Sequence, residues 1–139
     1  MEFAVRYYSR GGNTKMVAEA IAYALEVDCE DIQTPLQKAD VLFLGASMYA
    51  FTVDKNIKKF VSSLTHEQVK TIVVFSTSAS DTSTHKKIAK CLKDKEIKVY
   101  EKHLSIPGQF LGMNKGRPNE QDLENAKKFA KELKKELDK

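Results

Sequence analysis

The chain has 139 residues and a formal net charge of +4. That length suits one domain, expected over 1–139, and the charge excess alone does not mark a nucleic-acid binder. No apolar run is long enough to span a bilayer, and the N-terminus lacks a charged, apolar, then small-residue leader, so no membrane insertion and a cytoplasmic location are expected. Cys29 and Cys91 are the only cysteines and the three histidines are scattered, which argues against a disulfide scaffold and against a metal cluster.

In chain order, Phe3–Tyr8 is a short apolar run that reads as a first strand. It stops at Ser9-Arg10-Gly11-Gly12-Asn13-Thr14, and a helical pattern follows at once over 13–25. Met16, Val17, Ala20, Ile21, Ala24 and Leu25 fall on one face of that helix. A short second strand is expected within 27–32. Ala39 or Asp40 opens VLFLGA, a continuous apolar run typical of a parallel strand covered on both faces. The stretch SMYAFTVDK reads as a loop, and Val53, Ile57, Phe60, Val61 and Leu64 face inward from a second helix. TIVVFS is a fourth strand. Asp81 or Thr82 is the expected cap of a third helix carrying Ile88, Ala89 and Leu92. A fifth strand is expected over 97–106, and a Pro- and Gly-containing segment follows over 107–118. Asn119 then caps a last helix with Leu123, Ala126, Phe129, Ala130, Leu133 and Leu137 inward.

The lysines of this last helix alternate with acids at helical spacing, so they read as a solvated face. No basic stripe interleaved with aromatics supports nucleic-acid binding. Strand–helix alternation predicts an α/β fold, a doubly wound five-stranded parallel sheet of order 2-1-3-4-5 with helices on both faces. Ligands of such sheets bind at the carboxyl ends of the strands, beside the point where the winding reverses. The segments after strands one, three and four, SRGGNT, SMYAF and TSAS, are therefore expected to converge. They are rich in small, hydroxyl and aromatic residues and poor in charge. An anionic ligand end and a flat apolar end suit them.

The first of these segments is a strand, a tight turn and a helix start, which is how backbone N–H groups and a helix dipole are aimed at an anion. Three kinds of phosphate site do not fit it. No Gly-Lys-Ser/Thr follows, as a Walker loop needs, and Gly11-Gly12 lacks the spacing of a dinucleotide fingerprint. No cysteine nucleophile stands in the turn. A receiver-type site would want an Asp after strand three, where Ala46 and Ser47 stand.

YYSRGGNTKMVAEAIA resembles the phosphate loop of flavodoxins, in which Ser or Thr, a variable residue, Thr, Gly, Asn and Thr precede the first helix. FLGASMYAF, VVFSTSAS and GRPNEQDLENAKKFAKEL also resemble members of the small flavodoxin-domain family, so the likeness covers nearly the whole chain. It implies one non-covalent FMN. By that resemblance Ser9 and Thr14 offer hydroxyls to the phosphate, and Arg10, Gly11, Gly12 and Asn13 offer backbone N–H groups. Arg10 either adds a cation there or points to solvent. Ser47, Met48, Tyr49, Ala50 and Phe51 line the isoalloxazine, with Tyr49 the residue expected to stack on it. Thr77, Ser78, Ala79 and Ser80 run past its pyrimidine edge.

The chain departs from the family pattern in several places. Gly11 replaces a Thr and removes one hydroxyl. Ser80 stands nearest to where many flavodoxins have an aromatic, and Met48 or Ala50 where many have a glycine. Electron-carrier flavodoxins are usually acidic, and this chain is basic. Of the other candidates, Arg6 is expected as a paired charge under a helix, His66 at the end of the second helix, His85 in the first turn of the third and His103 in strand five. Cys29 reads as a small buried residue beside strand two, and 109–113 as a lid or a plain connection. No side chain stands out as acid, base or nucleophile. The expected function is redox chemistry carried by FMN, in a monomer or homodimer. Electrons pass to a redox partner protein, or a small-molecule electron acceptor such as a quinone is reduced with NAD(P)H. A flavodoxin-fold binding module without FMN is the alternative of another class.

Overall fold

The computed structural model describes residues 1–49, 52–78, 84–109 and 115–138, with the side chains of Met48, Tyr49, Thr52 and Ser78 outside that description. The elements are β1 (Phe3–Tyr7), α1 (Asn13–Leu25), β2 (Cys29–Asp31), β3 (Ala39–Tyr49), β4 (Thr52–Val53), α2 (Lys55–Ser63), β5 (Val69–Ser78), α3 (Thr84–Leu92), β6 (Lys98–Val99), β7 (Leu104–Pro107) and α4 (Glu120–Leu137). The sheet runs β2-β1-β3-β5-β6, and β7 also pairs β5. This is the expected winding, with β6 and β7 sharing the fifth position, and the fold is flavodoxin-like.

Period-two alternation along the central strands divides the core. Val5, Val41, Phe43, Val73 and Phe75 face α1 and α4, where Val17, Ile21, Ala126, Ala130 and Leu133 meet them. Leu42, Leu44, Ile72 and Val74 face α2 and α3, against Ile57, Val61, Ile88 and Leu92. Burial on both faces is why these strands read as unbroken apolar runs. Asn119 and Asp122 close a reciprocal capping box at the start of α4, as the sequence suggests.

Four expectations need correction. The stretch after strand three is not an open loop: β3 runs on to Tyr49 and turns back, with Met48 opposite Val53 and Tyr49 opposite Thr52. The hairpin's turn, Ala50 and Phe51, lies outside the described residues, as do Asp81 and Thr82. Met16 is 40% exposed, because it lies at the edge of the apolar stripe of α1. Arg6 is not under a helix; it donates to the carbonyls of Thr34 and Pro35 and so holds the link from β2 to β3 against the sheet. Finally, strand five is broken. Ile72 pairs with Val99 and Phe75 with Leu104, so Tyr100, Glu101, Lys102 and His103 stand against only Val73 and Val74.

That two-residue excess throws out a bulge which other elements hold. His85 Nε2 donates to the Tyr100 carbonyl at 2.8 Å, and the His85 and His103 rings stack with centroids 4.4 Å apart. From the other side, Tyr100 Oη and Lys102 Nζ both donate to the Glu136 carboxylate of α4. Burial, and secondarily the adjacent His85, push the His103 imidazole below its ordinary 6.5. The unfolded chain therefore binds a proton here more readily than the native one. This contribution to stability is present above pH 6.5 and is lost as the pH falls from there through the lowered native value. Urea unfolding at pH 7.5 and 5.5 checks it: the wild type loses stability between them, and His103→Gln loses less.

Candidate functional site

The register of the central strands sets the site. Gly45 pairs with Phe75 and Ser47 with Thr77, so all four lie on the face toward α1, one step apart. Gly45 permits the approach of its neighbours: a Cβ there would lie 2.3 Å from the Phe75 ring and 3.0 Å from Thr14 Cγ2. The ring fills the place of a side chain, and Thr14 settles on top. An isolated glycine inside a strand pattern is a signal of such close approach, though Gly45 was not among the residues singled out from sequence.

Thr14 is fully buried. Its Oγ1 lies 2.6 Å from Ser47 Oγ and 2.6 Å from Thr77 Oγ1, and those two lie 3.0 Å apart. Three hydroxyls in a ring can each donate once and accept once, so the cluster satisfies itself without a charged partner. It joins the start of α1 to the ends of β3 and β5. The expected convergence of three segments is thus present at this point.

Above the cluster, the turn is shaped by its own bonds. Ser9 Oγ accepts from the Gly12 N–H at 2.9 Å. Gly12 is the residue before α1 and has a left-handed φ of 92°, which favours glycine. No side chain caps this helix start. The N–H groups of its first turn therefore lack both intrahelical and side-chain acceptors, and they point out of the helix with the positive end of its dipole. The Gly12 N–H, expected among the donors to an anion, is taken by Ser9 in this arrangement.

Arg10 leaves 55% of its side chain exposed and also makes an ion pair that the sequence did not suggest. Its Nη2 pairs with Asp54 Oδ2 at 2.7 Å, and the Asp54 side chain is almost wholly buried. Asp54 also caps α2, its Oδ1 accepting from the Asn56 N–H. The pair ties the first turn to the base of the hairpin, and Asp54 is a site residue missed in the sequence. Asn13 Nδ2 donates to the Gln109 carbonyl. Gln109 in turn donates its N–H to the Arg117 carbonyl and accepts the Gly116 N–H on its side chain. Gln109 therefore joins the end of β7 to Gly116 and Arg117 and fastens them to α1. Arg117 makes two 2.6 Å bonds to Asp122 and holds its carboxyl below the usual carboxylate range. Expectations for Ala79, Ser80 and the centre of the 107–118 segment fall outside the described residues. Cys29 is half-buried, and burial pushes its thiol up to about 11, which keeps it unreactive at neutral pH.

Residues 4–112 match the flavodoxin domain. The chain belongs to this family. An uncharacterized protein of Methanocaldococcus jannaschii is 29% identical over 135 residues, 87% of this chain and 89% of the relative. Among solved structures, a flavodoxin from the domain Archaea superposes with a TM-score of 0.80 at 22% identity, covering 100% of both chains. Oxidised flavodoxin 2 from Bacillus cereus gives 0.68 at 16% identity, with 94% of this chain and 95% of that one covered. An NAD(P)H:quinone oxidoreductase from Methanothermobacter marburgensis gives 0.61 at 14%, with 96% and 98% covered. These likenesses share the fold. Among the described residues of this flavodoxin domain, no helix is long and apolar enough to cross a membrane, and no group of three or more His, Cys, Asp and Glu is placed to hold a metal.

Two outcomes are expected. Gly45→Ala forces the Phe75 ring aside and lowers stability by ~1–3 kcal/mol, and Phe75→Leu in the same chain recovers part of that loss in urea unfolding. Arg10→Ala leaves the Asp54 carboxylate buried without its cation. Asp54→Asn then costs less in the Arg10→Ala background than in the wild type, a coupling that a double-mutant cycle reads directly.

Proposed function

We propose that this flavodoxin domain binds FMN without a covalent bond and serves as a redox protein. The observation that carries the reading is the meeting of three strand-end segments at the Thr14–Ser47–Thr77 cluster, directly under an uncapped helix start. The residues fit the group. Nothing lies within 4 Å of where a side chain would begin at Gly11 or at Gly12, so the backbone there is open to a bulky anion. The first-turn N–H groups of α1 are suited to a phosphate, and two such charge-assisted bonds are worth ~3–6 kcal/mol.

FMN, when bound, supplies the centre that takes up and releases electrons. The chain's own residues position it. Gly11, Asn13 and Thr14 offer N–H groups to the phosphate, with the Ser9 hydroxyl beside them, and Arg10 holds the turn in place through Asp54. Ser47 to Phe51 and Thr77 to Ser80 flank the ring, with Tyr49 as the proposed stacking partner. The hydroxyl ring of Thr14, Ser47 and Thr77 keeps the two flanks at a fixed spacing. The protein's redox partner is another protein or a small acceptor, and its setting is the cytoplasm.

The test is titration of FMN fluorescence. Quenching with saturation supports the reading, and full fluorescence at every protein concentration overturns it in favour of a fold that has lost its flavin. Thr14→Ala is expected to weaken FMN about tenfold, ~1.4 kcal/mol. The Thr14 N–H survives this change, so unchanged affinity shows that the hydroxyl cluster does not hold the helix start for the phosphate.

A further inference from the structure

Helix dipoles favour acidic side chains in the first turn and basic ones in the last. Helix α4 obeys: its first turn holds Glu120 and Asp122 and its last Lys134 and Lys135. The other helices break the rule at their starts, though α3 keeps it at its end with Lys90. Lys15 stands in the first turn of α1, Lys55 and Lys58 in that of α2, and Lys86 and Lys87 in that of α3, and none of these turns holds an acid. Like charge at the positive end of a dipole is locally unfavourable. Since α4 of the same chain is arranged correctly, lysine-rich composition does not account for it.

In a parallel α/β sheet a helix that follows a strand starts at the sheet's carboxyl edge. These lysines therefore share one edge, the edge of the Thr14 cluster. Lys15, Lys55, Lys58 and Lys86 are exposed there, as is Arg10. The acid at the head of α2, Asp54, is buried and bound by Arg10, so these two charges cancel and the positive charge of the rim rests on the lysines. Asp81 stands in the connection before α3, outside the described residues. Asp31 at the end of β2 and Glu120 and Asp122 at the start of α4 are further acids of this edge, and Asp122 is bound by Arg117. The opposite edge mixes both signs, with Glu2, Glu26, Asp28, Asp40 and Glu67 beside Lys38, Lys70, Lys95, Lys98, Lys134 and Lys135 at strand starts and helix ends. Exposed cations thus prevail at the three helix starts around the candidate site, a bias that the net charge does not reveal. Placement that breaks a local rule persists where function repays it.

We propose that this rim is the docking surface for an acidic redox protein. It inverts the usual pairing of an acidic flavodoxin with a basic partner. The field turns the partner as it approaches and brings its redox group toward the carboxyl edge, raising the rate of productive encounter. This inference rests on the redox reading, because a docking site at this edge is useful to electron transfer only if the flavin sits there.

The experiment is amide mapping by nuclear magnetic resonance on the full chain. Two diamagnetic probes are titrated separately: an acidic plant-type ferredoxin with gallium in place of iron, and ferrous cytochrome c, which is basic. The ferredoxin is expected to shift amides around Arg10, Lys15, Lys55 and Lys86, less so as salt rises, and cytochrome c to leave them unmoved. Lys55→Glu with Lys86→Glu is expected to weaken ferredoxin about tenfold. The same pair of changes suits the helix dipoles, so the thermal midpoint should hold or rise, which separates lost docking from lost structure. Ferredoxin shifts that ignore the double variant, cytochrome c on the rim, or a DNA duplex binding the rim more tightly than ferredoxin each overturn the proposal. FMN quenching on the same samples keeps the readings apart. Quenching without ferredoxin binding overturns the docking surface alone, and absent quenching overturns the flavin reading while the amide map still decides the surface.

Discussion

The site depends on one close approach. At Gly45 the sheet has no side chain on the α1 face, and the Phe75 ring and the Thr14 methyl occupy the space together. Everything above follows from that contact. Because Phe75 lies flat across its neighbour, Thr14 can sink until it is fully buried. Its hydroxyl then meets Ser47 and Thr77, the next residues on the same face of β3 and β5. The first turn of α1 is thereby fixed over the ends of two strands rather than beside them. A wider residue at Gly45 would lift the helix start, and the three segments would no longer meet.

Two further ties surround this contact and act on different parts of the rim. The Arg10–Asp54 pair joins the first turn to the hairpin, and it does so from a carboxylate that already caps α2. Gln109 joins the segment after β7 to Asn13. The ties start from Arg10 and Asn13, on either side of Gly11-Gly12, and the left-handed backbone of Gly12 turns the chain into the helix. The turn is thus held on both sides while its central glycines stay open. A preorganised anion site needs this combination, since donors that must be collected at binding would spend affinity on their own ordering.

Fold class and strand order were legible in the sequence because the central strands are buried on both faces and read as long apolar runs. The flavodoxin phosphate turn was legible because its chemistry is local: a strand end, glycines, a hydroxyl and a helix start within a dozen residues. What could not be read was set by contacts between distant segments. Arg10 finds Asp54 only once β1 and α2 are placed side by side. The split of strand five depends on a register against β5 that slips by two residues around Tyr100–His103, and no local turn signal marks it. The antiparallel pairing of β3 with β4 is hidden in SMYAFTVDK because Thr52–Val53 is too short to show alternation. Gly45 did carry a signal, an isolated glycine in a strand, but only the register reveals which ring it admits.

The charge pattern belongs to a different level from these contacts. Stability here comes from the two apolar layers against the sheet, while Lys15, Lys55, Lys58 and Lys86 at the helix starts are exposed. Dipole terms of ~0.3–1 kcal/mol each are small beside the burial of side chains such as Phe43 and Phe75, at ~1.5–3 kcal/mol apiece. The fold can therefore carry the unfavourable placement without changing shape. That independence leaves surface charge free to follow the partner while the interior follows the fold. It also explains how a chain can keep the flavodoxin architecture and yet present a positive rim where carriers of the same fold are usually acidic. A net charge of +4 spread evenly would make a weak, featureless field. The same excess gathered at the starts of three helices along one edge makes a directed one, and direction is what an encounter between two redox proteins requires.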